Sequence, residues 1–202
     1  MPRRLAQLYV GLLVYGISTA LLVRAGLGLA PWDVLHQGLS EVTDIAIGWW
    51  TIIIGVGVLL LWIPLRQRPG FGTLSNAVVI GLVVNAALEV TPKLHGLTLR
   101  IVVMVLAVVL NAAATAAYIG AALGPGPRDG LMTGIAARGH SVRVVRTGIE
   151  VVVLAMGFAL GGTVGVGTAA YAFGIGPLVH PLLPLMTVSV PPSSDAEELR
   201  GE

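Results

Sequence analysis

Apolar residues run in long stretches along this 202-residue chain, separated by short stretches that hold most of its charged residues. Six of these stretches come close to the roughly 20 apolar residues that an α-helix needs to cross a bilayer. The pattern therefore predicts six membrane-spanning helices, at about residues 5–23, 48–65, 75–90, 97–123, 142–160 and 169–185.

Two further stretches are too polar to cross a membrane alone. In "PWDVLHQGLSEVTDI", which begins at Pro31, the apolar residues Val34, Leu35 and Leu39 recur at helical spacing. The stretch "RDGLMTGIAARGH", which begins at Arg128, has the same character. Each predicts a short helix that is either amphipathic or re-entrant.

The composition places the protein in the membrane class. Hydrophobic residues make up 55% of the chain and charged residues 11%, with a mean hydropathy of +0.89, whereas a soluble domain has about 25% charged residues. The expected fold class is an all-α membrane protein, with the lipid bilayer as a partner. The basic residues are scattered over loop ends, so nucleic acid is not expected as a partner. Residues 191–202 are polar and acidic, which predicts a disordered tail.

The chain also repeats itself once. The segment "LGLAPWDVLHQGL" (27–39) aligns without gaps with "LGPGPRDGLMTGI" (123–135), and "GFGTLSNAVVIG" (70–81) aligns with "GVGTAAYAFGIG" (165–176). The offset is 96 for the aspartates (129 − 33 = 96) and 95 for the threonines (168 − 73 = 95). We interpret residues 1–96 as a first repeat and residues 97–190 as a second. The shared motif residues are Gly28, Pro31, Gly70, Gly72 and Thr73 in the first repeat and Gly124, Pro127, Gly165, Gly167 and Thr168 in the second.

Three spans in each repeat turn the second repeat upside down in the membrane. If both termini are cytoplasmic, nine of the 12 lysine and arginine residues are inside, and only Arg24, Lys93 and Arg100 are outside. This is the usual positive-inside bias. The sequence therefore predicts an inverted-topology repeat, with the Asp33 loop outside and the Asp129 loop inside.

A glycine- and proline-rich break precedes an aspartate in each repeat, Asp33 in one and Asp129 in the other. Proline suits the first turn of a helix, whose free N–H groups form a positive end. Two interpretations stay open: each aspartate caps its own short helix, or the two line a translocation route for a cation or polar solute. Trp32 and Arg128 precede the aspartates, which fits an outer and an inner membrane interface respectively.

Arg146 and Glu150 lie four residues apart near the start of the fifth span, on one helix face. An ionised side chain within a membrane costs at least ~2.5–3.5 kcal/mol, so Glu150 must be paired, protonated or hydrated. One interpretation is a structural ion pair with Arg146 or Arg143. The other is a role in proton coupling or substrate binding.

The two GxGT motifs lack the Gly-Lys-Ser/Thr end of a phosphate-binding loop, and Thr73 and Thr168 are expected to cap the spans that follow. Small residues along the fourth span, such as Ala113 and Ala117, permit close helix contact between the repeats or across a homodimer. The four histidines are dispersed without metal-ligand spacing. Neither a metal nor a cofactor is therefore expected.

Several segments together resemble a known group of proteins. These are "GLGLAPWDVLHQG", "GPGPRDGLMTG", "VRTGIE" and "GGTVGVGT…GIGP". They resemble the bacterial YczE/YyaS/YitT group of integral membrane proteins, most closely its YczE-like branch, over about residues 5–188. The resemblance implies a small multi-pass protein of the bacterial cytoplasmic membrane.

Inverted repeats are typical of transporters that expose one site to each side of the membrane in turn. The expected function is transport of a small solute by alternating access, with candidate binding residues Asp33, Asp129, Arg128, Arg146 and Glu150. The alternative is a non-transporting membrane factor that assists assembly, secretion or regulation of another system. An enzyme is not expected, because the sequence offers no serine-histidine pair, metal cluster or GxGD signature.

Overall fold

The computed structural model describes residues 1–188, and this part of the chain consists of helices and the loops that connect them. The tail predicted at residues 191–202 lies outside the described residues. The helices are α1 (Pro2–Ala25), α2 (Pro31–Thr43), α3 (Ile47–Leu65), α4 (Phe71–Val90), α5 (Leu97–Gly120), α6 (Pro127–Ala136), α7 (Val142–Ala159) and α8 (Val166–Met186).

Five helices, α1, α3, α4, α5 and α8, are long and apolar enough to cross a membrane. Each lies where the sequence predicts a span, with ends shifted by a few residues. Large apolar side chains are exposed on their outer faces, as at Leu60 and Phe173, which suits contact with lipid. The expected class is confirmed: the chain is an all-α membrane protein.

The sixth predicted span coincides with α7, whose 18 residues include Arg143, Arg146 and Glu150. These three charges set α7 apart from the five apolar helices. Its position in the sequence agrees with the prediction, and its crossing of the membrane stays a prediction.

The short helices α2 and α6 enter the interior of the bundle. Every residue of α2 from Pro31 to His36 is buried, whereas a helix lying on a surface would bury only one face. The burial then decreases toward the end of α2 at Thr43. The start of α2 therefore lies inside the protein and not on its surface, as a re-entrant helix would, and its course in the membrane stays a prediction.

The centre of the bundle is the contact between α1 and α5, the first long helix of each half. Gly11 of α1 lies so close to α5 that an added Cβ would come within 2.9 Å of the Tyr118 nitrogen and 3.3 Å of the Ala117 Cβ. The small residues of α5 thus let the two halves approach closely within one chain. The homodimer stays a prediction.

The same helix pairs recur around this centre. α4 packs on α1 as α8 packs on α5, and the short helix of each half packs on the third helix of the other, α2 on α7 and α6 on α3. α3 begins at Ile47 and α7 at Val142, so the offset of 95 also relates these two helices (142 − 47 = 95). The division into repeats at residues 96 and 97 stays a prediction, but the helices on its two sides follow the same order.

The glycine motifs of the two halves interlock. The Gly72 N–H donates to the Leu123 carbonyl at 2.8 Å, and the Gly167 N–H donates to the Leu27 carbonyl at 2.7 Å. The GxGT motif of each half therefore holds the break that precedes the short helix of the other half. This exchange keeps the ends of α2 and α6 in place relative to α4 and α8.

Glycine is required at the break itself. Gly28 and Gly124 have φ angles of 114° and 123°, a region that side-chain-bearing residues rarely adopt. An added Cβ would also approach the Oγ1 of Thr168 or Thr73 to 2.7 and 2.6 Å respectively. These two threonines accept hydrogen bonds from the N–H groups of Gly165 and Gly70 at the starts of α8 and α4, so the predicted caps are confirmed.

The halves differ at one pair of long helices. α3 packs so closely on α4 that an added Cβ on Gly48 would overlap the carbonyl oxygen of Gly81, and the Gly48 N–H donates to the Asn85 Oδ1 at 2.8 Å. The corresponding helices α7 and α8 barely touch. Gly176, at the position of Gly81 (176 − 81 = 95), has nothing within 4 Å of an added Cβ. We call these two boundaries the α3–α4 seam and the α7–α8 seam.

Candidate functional site

The N-terminal ends of α2 and α6 meet inside the bundle, beside a cavity of about 110 Å³. Polar and aromatic side chains from both halves line the cavity together with apolar ones. Many lining residues occupy corresponding positions in the two halves. These pairs are Pro31 and Pro127, Trp32 and Arg128, Thr51 and Arg146, Gly55 and Glu150, Asn76 and Tyr171, and Ile80 and Ile175.

Arg128 is the central charge of the site. Its Nη2 lies 3.5 Å from the Asp33 Oδ1, and its guanidinium lies 5.1 Å from the centre of the Trp32 ring. The Asp33 carboxylate is almost completely buried, whereas 24% of the Arg128 side chain is exposed. A buried carboxylate needs a partner charge, and Arg128 from the other half supplies it.

The positions of Trp32 and Arg128 correct the expectation that they mark opposite membrane interfaces. Trp32 is 7% exposed, and the centre of its ring lies 5.1 Å from the Arg128 guanidinium inside the protein. The reason is the course of α2 and α6, which carries the second residue of each helix into the interior. Residues predicted on opposite sides of the membrane therefore meet.

His36 and Thr51 extend the polar contacts of Asp33. The His36 Nδ1 lies 3.4 Å from the Asp33 Oδ1 and 3.2 Å from the Thr51 Oγ1. Within residues 1–188, neither the His36 Nε2 nor the Trp32 Nε1 has a hydrogen-bond partner, although both are buried. Asp33 is thus held by groups from α2 and α6, and His36 links it to α3.

Asp129 has a different partner from Asp33. The Tyr118 hydroxyl donates to the Asp129 Oδ2 at 2.9 Å. Ala30 and Gly126 are the N-caps of α2 and α6, and in the described part of the chain neither aspartate makes a capping hydrogen bond to them. The interpretation of both aspartates as helix caps therefore has no support in the contacts.

Arg146 and Glu150 form the ion pair that their spacing suggested. The Arg146 Nε lies 3.0 Å from the Glu150 Oε1, and the two side chains are 51% and 28% exposed. Both residues also line the cavity. The geometry is thus compatible with both roles that the sequence left open, a structural ion pair and a part in proton coupling or substrate binding.

A second cavity, of about 100 Å³, adjoins the first between α7 and α8. It shares Arg146, Glu150 and Tyr171 with the first cavity and includes Gly176. Because the Arg146 side chain is half exposed, the site reaches the outside of the bundle through the α7–α8 seam. The α3–α4 seam, which is packed shut at Gly48, offers no such path.

The structure brings the predicted charged residues together. Arg128, Asp129, Arg146 and Glu150 line the cavity, and Asp33 lies directly behind it in contact with Arg128. The GxGT residues do not line the cavity; they hold the two breaks in place.

Sequence reasoning missed three tyrosines of the site, Tyr15, Tyr118 and Tyr171. All three lie within predicted spans, and a polar group in an apolar span usually faces the protein interior, so the signal was available. Tyr171 also donates to the Asn111 Oδ1 at 2.9 Å, and Asn111 donates to the Ser18 Oγ at 2.9 Å. These bonds join α8, α5 and α1 through Asn111.

Comparison with known proteins identifies the family. The chain belongs to the Family of unknown function (DUF6198), which it matches over residues 2–183. An uncharacterized protein of Haemophilus influenzae is 40% identical over 179 residues, which cover 88% of this chain and 82% of that protein. No solved structure matches the chain.

Two relatives come from Bacillus subtilis. The uncharacterized membrane protein YczE is 35% identical over 181 residues, 87% of this chain and 83% of its own length. The uncharacterized protein YyaS is 28% identical over 184 residues, 88% of this chain and 90% of its own length. The resemblance to the YczE and YyaS proteins is confirmed, and the name of YczE agrees with the membrane class of the fold.

Proposed function

We propose that this membrane protein transports a small solute by alternating access, with the cavity at the ends of α2 and α6 as its binding site. The observation that carries the proposal is the meeting of two short helices, one from each half, beside a cavity lined by residues at corresponding positions. Helices that end inside a membrane protein are typical of substrate sites in transporters built from inverted repeats.

The unequal seams support the alternating part of the proposal. A transporter made of two related halves has an open path on one side of its site and a closed path on the other. The α7–α8 seam is open next to Arg146, and the α3–α4 seam is closed at Gly48. In the opposite state, the α3–α4 seam would open and the α7–α8 seam would close.

We further propose that the protein lies in the bacterial cytoplasmic membrane with both termini inside. The predicted distribution of lysine and arginine favours this orientation, and it places the start of α7, and hence the open seam, on the cytoplasmic side. Single cysteines at Ser40 and Ser141 of the cysteine-free chain would test it with an impermeant thiol reagent on intact cells. Position 40 should label and position 141 should not; the reverse pattern would contradict the orientation.

A flux screen would test transport directly. Proteoliposomes that contain the purified protein would be loaded with pools of amino acids, carboxylates, amines and sugars. The release of each pool would be compared with its release from protein-free liposomes. The Gly176→Leu variant serves as a matched control, because its new side chain occupies the open seam without an existing contact. Release of a solute by the native protein and not by this variant is the expected result.

If no pool moves and the protein instead co-purifies with a stable partner, the non-transporting membrane factor becomes the better account. That outcome would contradict the transporter proposal, because an intact alternating-access site has no need of such a partner.

A further inference from the structure

The charged groups of the cavity are not equally satisfied. The Asp129 carboxylate accepts a hydrogen bond of 2.9 Å from Tyr118, and the Glu150 carboxylate is 3.0 Å from Arg146. Arg128 has five N–H donors, yet its one hydrogen bond within residues 1–188 is the 3.5 Å contact with Asp33. Charge-assisted N–H···O bonds are normally about 2.7–2.9 Å long. Among the charged residues of the cavity, Arg128 is therefore the one whose hydrogen-bond donors are least satisfied.

The position of Arg128 makes its free N–H donors accessible to a ligand. Its side chain lines the cavity and is partly exposed there, while Trp32 lies against its guanidinium. A guanidinium placed over a ring face does not use its N–H donors in that contact, and its planar fork matches the two oxygens of a carboxylate. The nearby N-terminal ends of α2 and α6 add positive potential.

We propose that the cavity binds a small carboxylate anion, whose carboxylate group accepts hydrogen bonds from the Arg128 N–H donors that Asp33 leaves free. The inference rests on the proposed function in treating the cavity as a solute site, and it names the class of solute. Ala77, Ile80, Met132 and Ile175 belong to the apolar part of the wall, so a short apolar body on the carboxylate fits the volume of about 110 Å³.

Asp33 has a defined role in this scheme. In the solute-free site, it neutralises Arg128, and it also contacts His36 at 3.4 Å. When a solute carboxylate binds, it shares the Arg128 charge with Asp33, which stays beside the guanidinium and keeps its contact with His36. Asp33 therefore competes with the solute for Arg128, so that removing its charge is expected to tighten binding rather than weaken it.

Binding would be measured without transport, on purified protein in lipid nanodiscs, by ligand-observed NMR titration. The probes are propionate, the neutral propionamide of the same shape, propylamine and alanine, all at equal ionic strength. Propionate is expected to bind saturably, and propionamide and propylamine are not. If alanine binds as well as propionate, the solute class includes amino acids; if it does not, the class is limited to simple carboxylates.

Four variants test the residues. Arg128→Gln should raise the Kd for propionate by about tenfold or more, the effect expected for losing hydrogen bonds to a charged group. Arg128→Lys should bind with intermediate affinity, because it keeps the charge without the planar fork. Asp33→Asn should lower the Kd, and Arg143→Gln, at an exposed position outside the cavity, should leave it unchanged.

If Arg128→Gln fails to fold, the double variant Asp33→Asn with Arg128→Gln removes both charges of the pair and should fold without binding propionate.

Equal binding of propionate and propionamide, no binding of propionate, or an unchanged Kd in the Arg128 variants would overturn the inference. The outcome is separate from that of the flux screen. Propionate binding in a protein that moves no solute would leave the inference intact and contradict transport. Flux of another solute that propionate fails to inhibit would support transport and overturn the inference.

Discussion

The α3–α4 seam and the α7–α8 seam occupy corresponding places in the two halves, yet one is closed and the other is open. Gly81 and Gly176 are the same residue at the same position, and only Gly81 touches the facing helix. Gly48 faces Gly81, and the corresponding position of α7 holds Arg143, since 143 − 48 = 95. The glycines of α4 and α8 are thus the same in both halves, whereas the residues at the position of Gly48 differ.

Charge follows the same division. Thr51 and Gly55 of α3 correspond to Arg146 and Glu150 of α7 (146 − 51 = 95; 150 − 55 = 95). The closed seam thus has small, uncharged residues, whereas the open one has an ion pair whose side chains are 51% and 28% exposed. Two copies of one architecture can hold different conformations when their contact residues differ in size and hydration.

The largest expected effect compares Arg128, whose charge pairs with the buried Asp33, with Glu150, whose charge lies in the open α7–α8 seam. Arg128→Gln leaves the buried Asp33 carboxylate unpaired and should lower the free energy of unfolding by about 3–5 kcal/mol. Glu150→Gln in the half-exposed pair should lower it by less than about 1 kcal/mol. Unfolding in mixed detergent and SDS micelles would measure both changes. Equal losses of unfolding free energy would show that the open seam excludes water as completely as the buried site does.

A smaller effect is expected from adding one methyl group to each seam. Gly81→Ala would push a Cβ into the Gly48 carbonyl oxygen and the Ile52 side chain, which should cost about 1–3 kcal/mol. Gly176→Ala meets nothing within 4 Å and should leave stability unchanged or raise it, because alanine favours a helix over glycine. The same unfolding assay applies, and a comparable loss at both positions would contradict the difference between the seams.

The smallest effect concerns the hydrogen bond that closes the α3–α4 seam. Asn85→Ala removes the acceptor of the Gly48 N–H and should cost about 1 kcal/mol. His180, the corresponding residue of α8 (180 − 85 = 95), is exposed, so His180→Ala should change the free energy of unfolding by less than about 0.5 kcal/mol. A larger loss at His180 than at Asn85 would reverse the assignment of the closed seam.

The sequence predicted the helices well because length and apolarity decide them. The spans, both short helices and the capping role of Thr73 and Thr168 follow from local patterns that need no knowledge of the fold. Glycine and proline in each break also indicate where the chain must turn. These features depend on residues close together in the sequence.

The site could be predicted only in part, because its contacts join distant residues. Arg128 and Asp33 are 95 residues apart, and the expectation that Trp32 marks an outer interface was wrong because α2 carries it inward. Tyr118 lies only 11 residues before Asp129, and its polar group within an apolar span was a signal that the prediction overlooked. Nor could the alignment of the repeats reveal that the seams differ, since it compares residues at equivalent positions and not residues in contact.

We propose that the two seams open in turn, and spin-label distances across both seams would measure this movement. The cysteine-free chain allows matched pairs at exposed positions: Ile53 with Val78 across the α3–α4 seam, and Gly148 with Phe173 across the α7–α8 seam (148 − 53 = 95; 173 − 78 = 95). Distances would be recorded by pulsed electron resonance in lipid nanodiscs, with and without the solute found in the flux screen. Two distance populations are expected at each pair, and the solute should change them in opposite directions at the two seams. The Gly176→Leu variant should show a single population with the α7–α8 seam open. One unchanging distance at both seams under all conditions would contradict alternating access.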